Sequence, residues 1–426
     1  MKKYKLIILS IIFSLICTAL HSQTTYSPYS NYGFGNLSDA RNPVLKAMGK
    51  SGYAFRDHMV INSLNPASYT AFDTLSFLFE ASAEINTLSL ATTAHRERST
   101  YGGLGHIQLG FPIWKYIKMS AGLVPISNVG YNVENKIIDT IVGNQTFKFM
   151  GKGGVNSVYG GLGFQLWDFS IGANVSYLFG NIDKSQALLF PDSSHYLNTK
   201  RLAQIAVSAV MVDIGAQYYT KVADDLFLSI GAIYRPQLNL ASKSSEVGYT
   251  YSINGSGNEV LKDTLFVKSN VDSIAQICFP QKIGGGFMLR KLNSYKIQAN
   301  FDWTQWSKYE DITTGKGTLV NSISASVGFE YAPRRATSST YWKWVRYRVG
   351  AYYAQDNFTV NDSKINQFGM TFGMGLPIAR SFSMVNLTLD VGNRGTKANN
   401  SIQETYINFT LGFSLYDTWF YRIKYK

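Results

Sequence analysis

The sequence predicts an all-β fold: a closed transmembrane barrel of about fourteen antiparallel strands, its lumen plugged by the N-terminal segment. Three observations carry that expectation. Short runs of strict apolar/polar alternation recur along the chain; in the cleanest, Ile407, Phe409, Leu411, Phe413 and Leu415 are set against Asn408, Thr410, Gly412 and Ser414. A period of two places apolar side chains on one face of a strand and polar ones on the other. The chain is also rich in aromatics and glycine, with 28 Tyr, 26 Phe, 7 Trp and 37 Gly, while only 16% of its residues are charged. Finally, the links between the alternating runs are by turns short and long, as periplasmic turns and external loops are in an outer-membrane barrel.

The chain opens with three lysines, Lys2, Lys3 and Lys5, followed by an apolar run from Leu6 to Ile16 and a small-residue exit at Leu20-His21-Ser22. This is the pattern of a secretory signal peptide over residues 1–22. Cys17 has poor neighbours for lipid attachment, and beyond the leader Cys278 is the only cysteine, so no intramolecular disulfide is expected. No later apolar run reaches the length of a membrane helix. The formal charge is +13, three units of it on the leader lysines. In an exported chain that excess points to anionic lipid or cargo, or to solvated loops, and not to nucleic acid.

Alternating runs extend from 74–90 to 404–415, which sets the barrel at residues 74–415. Phe169, Ile171, Ala173, Val175 and Tyr177 oppose Ser170, Gly172, Asn174 and Ser176, and Val385, Leu387, Leu389 and Val391 oppose Asn386, Thr388 and Asp390. Alternation alone would also suit a soluble sandwich. The links favour the membrane: 112–115, 167–168, 221–224, 291–293 and 377–381 are tight, whereas 132–154, 181–201 and 243–280 are long and polar. The link 332–344 is long where a tight turn is expected. Residues 23–73 do not alternate, yet they contain Tyr26, Tyr29, Tyr32, Phe34, Met48, Tyr53, Phe55, Met59 and Ile61. A segment so apolar needs burial, and the lumen is the nearest place; it should carry one short helix near 44–48.

The stretch INSLNPASYTAFDTLSF (residues 61–77) resembles the hatch of the long-chain fatty-acid transporter (FadL-type) outer-membrane barrel family, in a Bacteroidota-like branch. There an Asn-Pro-Ala motif precedes the first strand, and Asn65, Pro66 and Ala67, followed by Ser68, stand in that place. LVPISNVGY (123–131) resembles that family's third strand and FDWTQWSKY (301–309) a late one. The resemblance implies a fourteen-stranded barrel that passes hydrophobic molecules into the membrane through an opening in its wall. Pro125 lies inside the third strand, and a proline cannot donate to a β-ladder. With Ser127, Asn128 and Gly130 it marks either a lateral gate, where pairing to a neighbour breaks, or a bulge that only adjusts curvature.

No constellation for catalysis is found, so the protein is not expected to be an enzyme. His58, His95, His106 and His195 are scattered, no Gly-x-Ser-x-Gly nucleophile motif occurs, and no metal spacing or cofactor motif appears. YGGLGHIQLG (101–110) reads as a strand with small lumen-facing residues. Arg235, Lys296, Arg346 and Arg348 fall on the inward phase of their strands. They could capture a ligand carboxylate, or they could pair with inward Asp302, Asp390 and Glu330. Trp303, Trp306, Trp342, Trp344 and Trp419 suit the aromatic belt at the lipid interface. Residues 416–426, aromatic and basic, read as a periplasmic tail that could anchor at lipid or dock a protein partner.

Two functions follow. One is passive uptake of hydrophobic, fatty-acid-like molecules through the outer membrane of a Gram-negative cell. The other is a non-transporting barrel that serves as an interaction subunit or carrier in an outer-membrane secretion or assembly complex.

Overall fold

The computed structural model describes residues 25–38, 41–93, 95–139, 143–192, 195–269, 275–311, 315–316, 319–333, 341–360, 363–378, 381–398 and 401–419. Among them no helix is long and apolar enough to cross a membrane. The wall is built of strands. β1 (Ser76–Ala91), β2 (Arg96–Pro112), β3 (Ile117–Asp139), β4 (Gly143–Leu166), β5 (Phe169–Leu189), β6 (Asn198–Ala223) and β7 (Leu226–Arg235) follow one another as antiparallel neighbours. Past Pro236, β8 (Leu238–Ile253) continues β7 along β6; β9 (Glu259–Ser269) folds back on β8 as an external hairpin. β10 (Ala275–Phe279) also pairs with β8 and leads into β11 (Lys282–Lys291), which pairs with β7. β12 (Tyr295–Thr304), β13 (Ser322–Tyr331), β14 (Arg346–Val360), β15 (Ser363–Pro377), β16 (Met384–Arg394) and β17 (Gln403–Thr418) complete the ring. β17 pairs with β1 from Thr418–Ser76 to Gln403–Ala91, and the barrel closes on fourteen antiparallel strands.

The alternation now has a direction. Phe368 and Met370 of β15 are 58% and 60% exposed on the outside, and Ile407, Phe409, Leu411 and Phe413 of β17 also face out. Between them Thr371, Thr388 and Thr410 are buried inside. A soluble sandwich would have hidden the first set, so these outer faces are the lipid-contacting ones.

Three stretches expected as loops are largely strand. β3 and β4 stay paired to Asp139–Gly143, β5 extends to Leu189 and β6 starts at Asn198, and β8 and β9 occupy most of 243–280. Beyond the bilayer neither face needs to be apolar, so alternation fades while ladder hydrogen bonds persist. At the other end, Tyr416–Thr418 belong to β17, held by Ser76–Leu78 of β1, and Trp419 stacks on Phe77 with ring centroids 4.1 Å apart. Residues 420–426 and 334–340 of the long link lie outside the described residues.

The segment from residue 25 to the start of β1 packs inside the ring and touches it on every side. Its one α-helical turn among the described residues, Pro43–Lys46, is capped by Asn42, whose side chain accepts from Val44 N. Thr388 of β16 donates to Pro43 O at 2.8 Å, Thr371 of β15 to Ala47 O at 3.0 Å, and Lys118 of β3 to Phe72 O at 2.6 Å. Tyr53 donates to Asp302 of β12 at 2.7 Å. These bonds satisfy irregular backbone that could not otherwise be buried.

Candidate functional site

The Asn-Pro-Ala-Ser stretch is a structural anchor. Asn65 caps the 3-10 helix Pro66–Ala71: its Oδ1 accepts from Ala67 N at 3.1 Å, and Pro66 takes the first helical position, where no N–H is needed. Its Nδ2 donates to Tyr53 O at 2.7 Å and to Ala216 O of β6 at 3.2 Å. The wall can come this close because residue 215 is glycine, where a Cβ would collide with the Asn65 amide. Ser68 donates to Asn62 O at 3.1 Å, and Ala67 is completely buried.

At Pro125 the structure has both a bulge and a break, on opposite edges of β3. Toward β4 pairing is continuous except for one unpaired residue, Ile126, where the register steps from Pro125–Asn156 to Ser127–Val155. Toward β2 pairing ends altogether: the two strands share six rungs, from Pro112–Lys118 to Ile107–Leu123, and none above. β2 carries its own bulge at Gly105, where its register with β1 steps from Ser82–His106 to Ala83–Leu104. A bulge bends its strand, so two bulges just past the last shared rung part β2 from β3. Six rungs at about 3.4 Å each, tilted by about 40°, end about 15 Å above the periplasmic turn. An apolar band on such a barrel is about 25 Å tall, so the ladder ends within its height.

The N-terminal segment fills the opening above the last rung. Asn36 and Leu37 pair with Asn128 and Ser127, and Ser38 N donates to Ile126 O at 2.9 Å. Gly130 N donates to Ser30 Oγ at 3.1 Å. Gly35, at φ +95°, brings this strand against β3, where a side chain would run into Val129 and the Asn128 carbonyl. Pro125, Ser127, Asn128 and Gly130 thus lie together at the opening. Asn36 and Leu37, which plug it, carried no distinguishing signal in the sequence.

The inward lining changes character with height. On β5 it reads Ser170, Asn174 and Ser176 near the periplasm, then Leu178 and Ile182 above; on β6 the apolar level holds Ile205, Val207 and Met211. These residues, with Val129 and Tyr131 of β3, form one apolar cluster into which the N-terminal segment inserts Tyr29 and Phe34. The apolar level borders the opening in the wall.

Of the four inward cations, three meet and one stands apart. Lys296 Nζ lies 2.6 Å from Asp57 Oδ2 and 2.9 Å from Glu330 Oε1. Arg346 Nη1 lies 3.5 Å from Asp57 Oδ2, and Arg348 Nε lies 2.6 Å from Glu330 Oε2. All five side chains are buried. Burial alone would push the Asp57 carboxyl up, but Lys296 and Arg346 outweigh it and hold the group well below the usual carboxylate range. Glu330 is a partner that inward phase predicts. Asp302 instead meets Lys282 at 3.4 Å, and Asp390 meets Lys50 at 3.0 Å. Asp57 was missed, although a lone carboxylate in so apolar a stretch needs a cation. Arg235 pairs with Asp213 at 2.6 Å and lies over the Phe279 ring, at the margin of the apolar cluster. Among the described residues no group of His, Cys, Asp and Glu is placed to hold a metal ion.

The chain belongs to the BamG family, whose model matches residues 1–426. No curated relative matches it. Solved structures resemble it in fold. The Pseudomonas putida toluene transporter TodX is 13% identical, with a TM-score of 0.55 over 90% of this chain and 99% of that one. The CymD monoaromatic hydrocarbon channel is 12% identical, with a TM-score of 0.55 over 90% and 98%. A Pseudomonas aeruginosa FadL homologue is 12% identical, with a TM-score of 0.53 over 89% and 98%. The shared fold is that of an outer-membrane barrel of Gram-negative bacteria.

Proposed function

We propose that this BamG-family barrel is an outer-membrane channel that admits hydrophobic, fatty-acid-like molecules from outside and releases them sideways into the bilayer beside Pro125. One observation supports the reading: the β2–β3 ladder stops after six rungs, and the barrel's own N-terminal segment pairs with β3 just above the stop. An open strand edge in lipid is costly, so such a break persists only where something fills or uses it. The plug is the part that can move. Its three residues are held by a few backbone hydrogen bonds at about 0.5–1.5 kcal/mol each and by Arg394 Nη1, which donates to Asn36 Oδ1 at 2.9 Å, whereas the flanking strands are held along their whole length by β1 and β4. Withdrawal of the segment would empty the space of Tyr29 and Phe34 in the apolar level and open a path to hydrocarbon. Arg235, at the margin of that level, is the cation best placed to meet a carboxylate head group. The hydrocarbon channels of like fold support the cargo class by analogy.

A disulfide staple tests it. In a Cys278→Ser background, Leu37→Cys and Ser127→Cys would tie the plug to β3 across one rung. Oxidation should stop uptake of a hydrophobic probe into proteoliposomes and reduction should restore it. Equal uptake in both states would rule out the opening as the route.

The β9 hairpin supports a second reading, that of a non-transporting interaction subunit in an outer-membrane secretion or assembly complex. Among the described residues β9 pairs with β8 alone, and it exposes Leu261, Leu265 and Val267 outside the wall. An unpaired strand edge is a docking template for another chain. Under this reading, mild detergent should extract the barrel with stoichiometric partners, and removing β9 or residues 420–426 should release them. Recovery of a bare monomer with bound lipid would favour the channel.

A further inference from the structure

We propose an oxyanion-binding site in the periplasmic mouth of the barrel, separate from the opening at Pro125. Below the Asp57–Glu330 ion network lies a cavity of about 170 Å³, lined by hatch residues and by the short-turn ends of β11, β12, β13 and β14. Its lining holds four cations, Arg290, Lys291, Lys296 and Arg346, against two carboxylates, Asp57 and Glu330. Lys296 and Arg346 already neutralise those carboxylates. Arg290 is the cation without a close partner: it is half-buried, lines the cavity, makes no hydrogen bond or ion pair among the described residues, and acts on Asp57 only through space.

A second observation points the same way. The Arg346 side chain is about nine-tenths buried, and its Nε has no hydrogen-bond partner among the described residues. A buried charged donor left unmatched costs about 1–3 kcal/mol or more, and a small rotation of the Arg346 side chain would bring it to an anion in the adjoining cavity. Two guanidinium groups on one cavity suit a planar or tetrahedral oxyanion, since each offers paired N–H donors. The volume is sufficient: a water takes about 30 Å³, so the cavity holds a phosphate or carboxylate group with some of its hydration. The site opens to the periplasm, and its ligand is an oxyanion presented from that side. It does not depend on the uptake reading.

The test uses the full chain in detergent micelles, titrated calorimetrically with inorganic phosphate and, separately, with acetate, at constant ionic strength balanced by chloride. A lysophospholipid arm separates a lipid head group from the free ion. At least one of phosphate and acetate should bind to the wild type. Binding should weaken at least tenfold in Arg290→Ala and be partly recovered in Arg290→Lys. Arg290 carries no ion pair, so both variants should keep the heat-modifiable gel mobility of a folded barrel. Lysophospholipid binding well above that of phosphate, with the same dependence on Arg290, would assign the site to head groups. If neither anion binds, or if Arg290→Ala binds as tightly as the wild type, the proposal fails.

Discussion

Asp57 and Lys296 meet at 2.6 Å inside the barrel, the shorter of the two contacts through which Asp57 of the hatch joins a charge network otherwise made of wall residues. Glu330, Arg346 and Arg348 sit on β13 and β14, and Asp57 alone comes from the plug. The hatch therefore has two unlike halves. Its periplasmic half is fixed by buried ion pairs and the Asn65 anchor, while the half around Asn36 rests on two rungs of strand, on apolar packing and on side-chain hydrogen bonds such as those from Arg394 Nη1 to Asn36 Oδ1 at 2.9 Å and from Tyr131 Oη to Asn31 Oδ1 at 2.8 Å. Movement at the opening does not require the whole hatch to leave.

Asp57→Asn should loosen the fixed half. Removing one member of a buried ion pair typically costs about 3–5 kcal/mol, because the remaining charges stay buried without their match. Here Lys296, Arg346 and Arg348 would share Glu330 alone. The expected result is a markedly lower melting temperature, with faster protease cleavage within residues 44–60 and an intact strand signal in circular dichroism. A melting temperature within a degree of wild type would mean that the ion pair holds nothing in place.

The same contact sets a pH limit. The Asp57 carboxyl is depressed in the folded state, so its stabilisation is fully present above the unfolded value of about 4 and is lost as pH falls through the folded value. The difference in melting temperature between wild type and Asp57→Asn should stay level from pH 7 to pH 5 and shrink below about pH 4. A difference that vanishes near pH 6 would assign the stabilisation to another group.

The barrel was legible because alternation and link length are local properties, readable a few residues at a time. What pairs with what was not. Lys296, Arg346 and Arg348 could be placed on the inward phase, but the partner that joins them to the hatch lies 239 residues from Lys296 in sequence. Pro125 marked its strand as irregular. Which edge would part depended on the Gly105 bulge in the neighbouring strand, and one glycine in YGGLGHIQLG looks like any other. The strands beyond the bilayer read as loops for a related reason: where water solvates both faces, nothing in the side chains has to alternate.

Asn65 offers the sharpest test of the anchor, because its two ends do different work. Asn65→Ala removes the cap on Pro66–Ala71, at about 1 kcal/mol, and takes one donor each from the carbonyls of Tyr53 and Ala216, at about 0.5–1.5 kcal/mol each, Tyr53 O keeping its bond from Gln217 Nε2 at 3.0 Å. Asn65→Asp keeps an oxygen for Ala67 N but turns the donor end into an acceptor facing two carbonyls. If wall attachment matters more than the helix cap, Asp should be as damaging as Ala or worse, each costing several kcal/mol in denaturant unfolding. Were the cap the main contribution, Asp would behave nearly as wild type. Gly215→Ala should mimic the loss from the other side, since its methyl group would occupy the place of the Asn65 amide. Combined with Asn65→Ala it should cost less than the two changes summed, as expected for residues that share one contact.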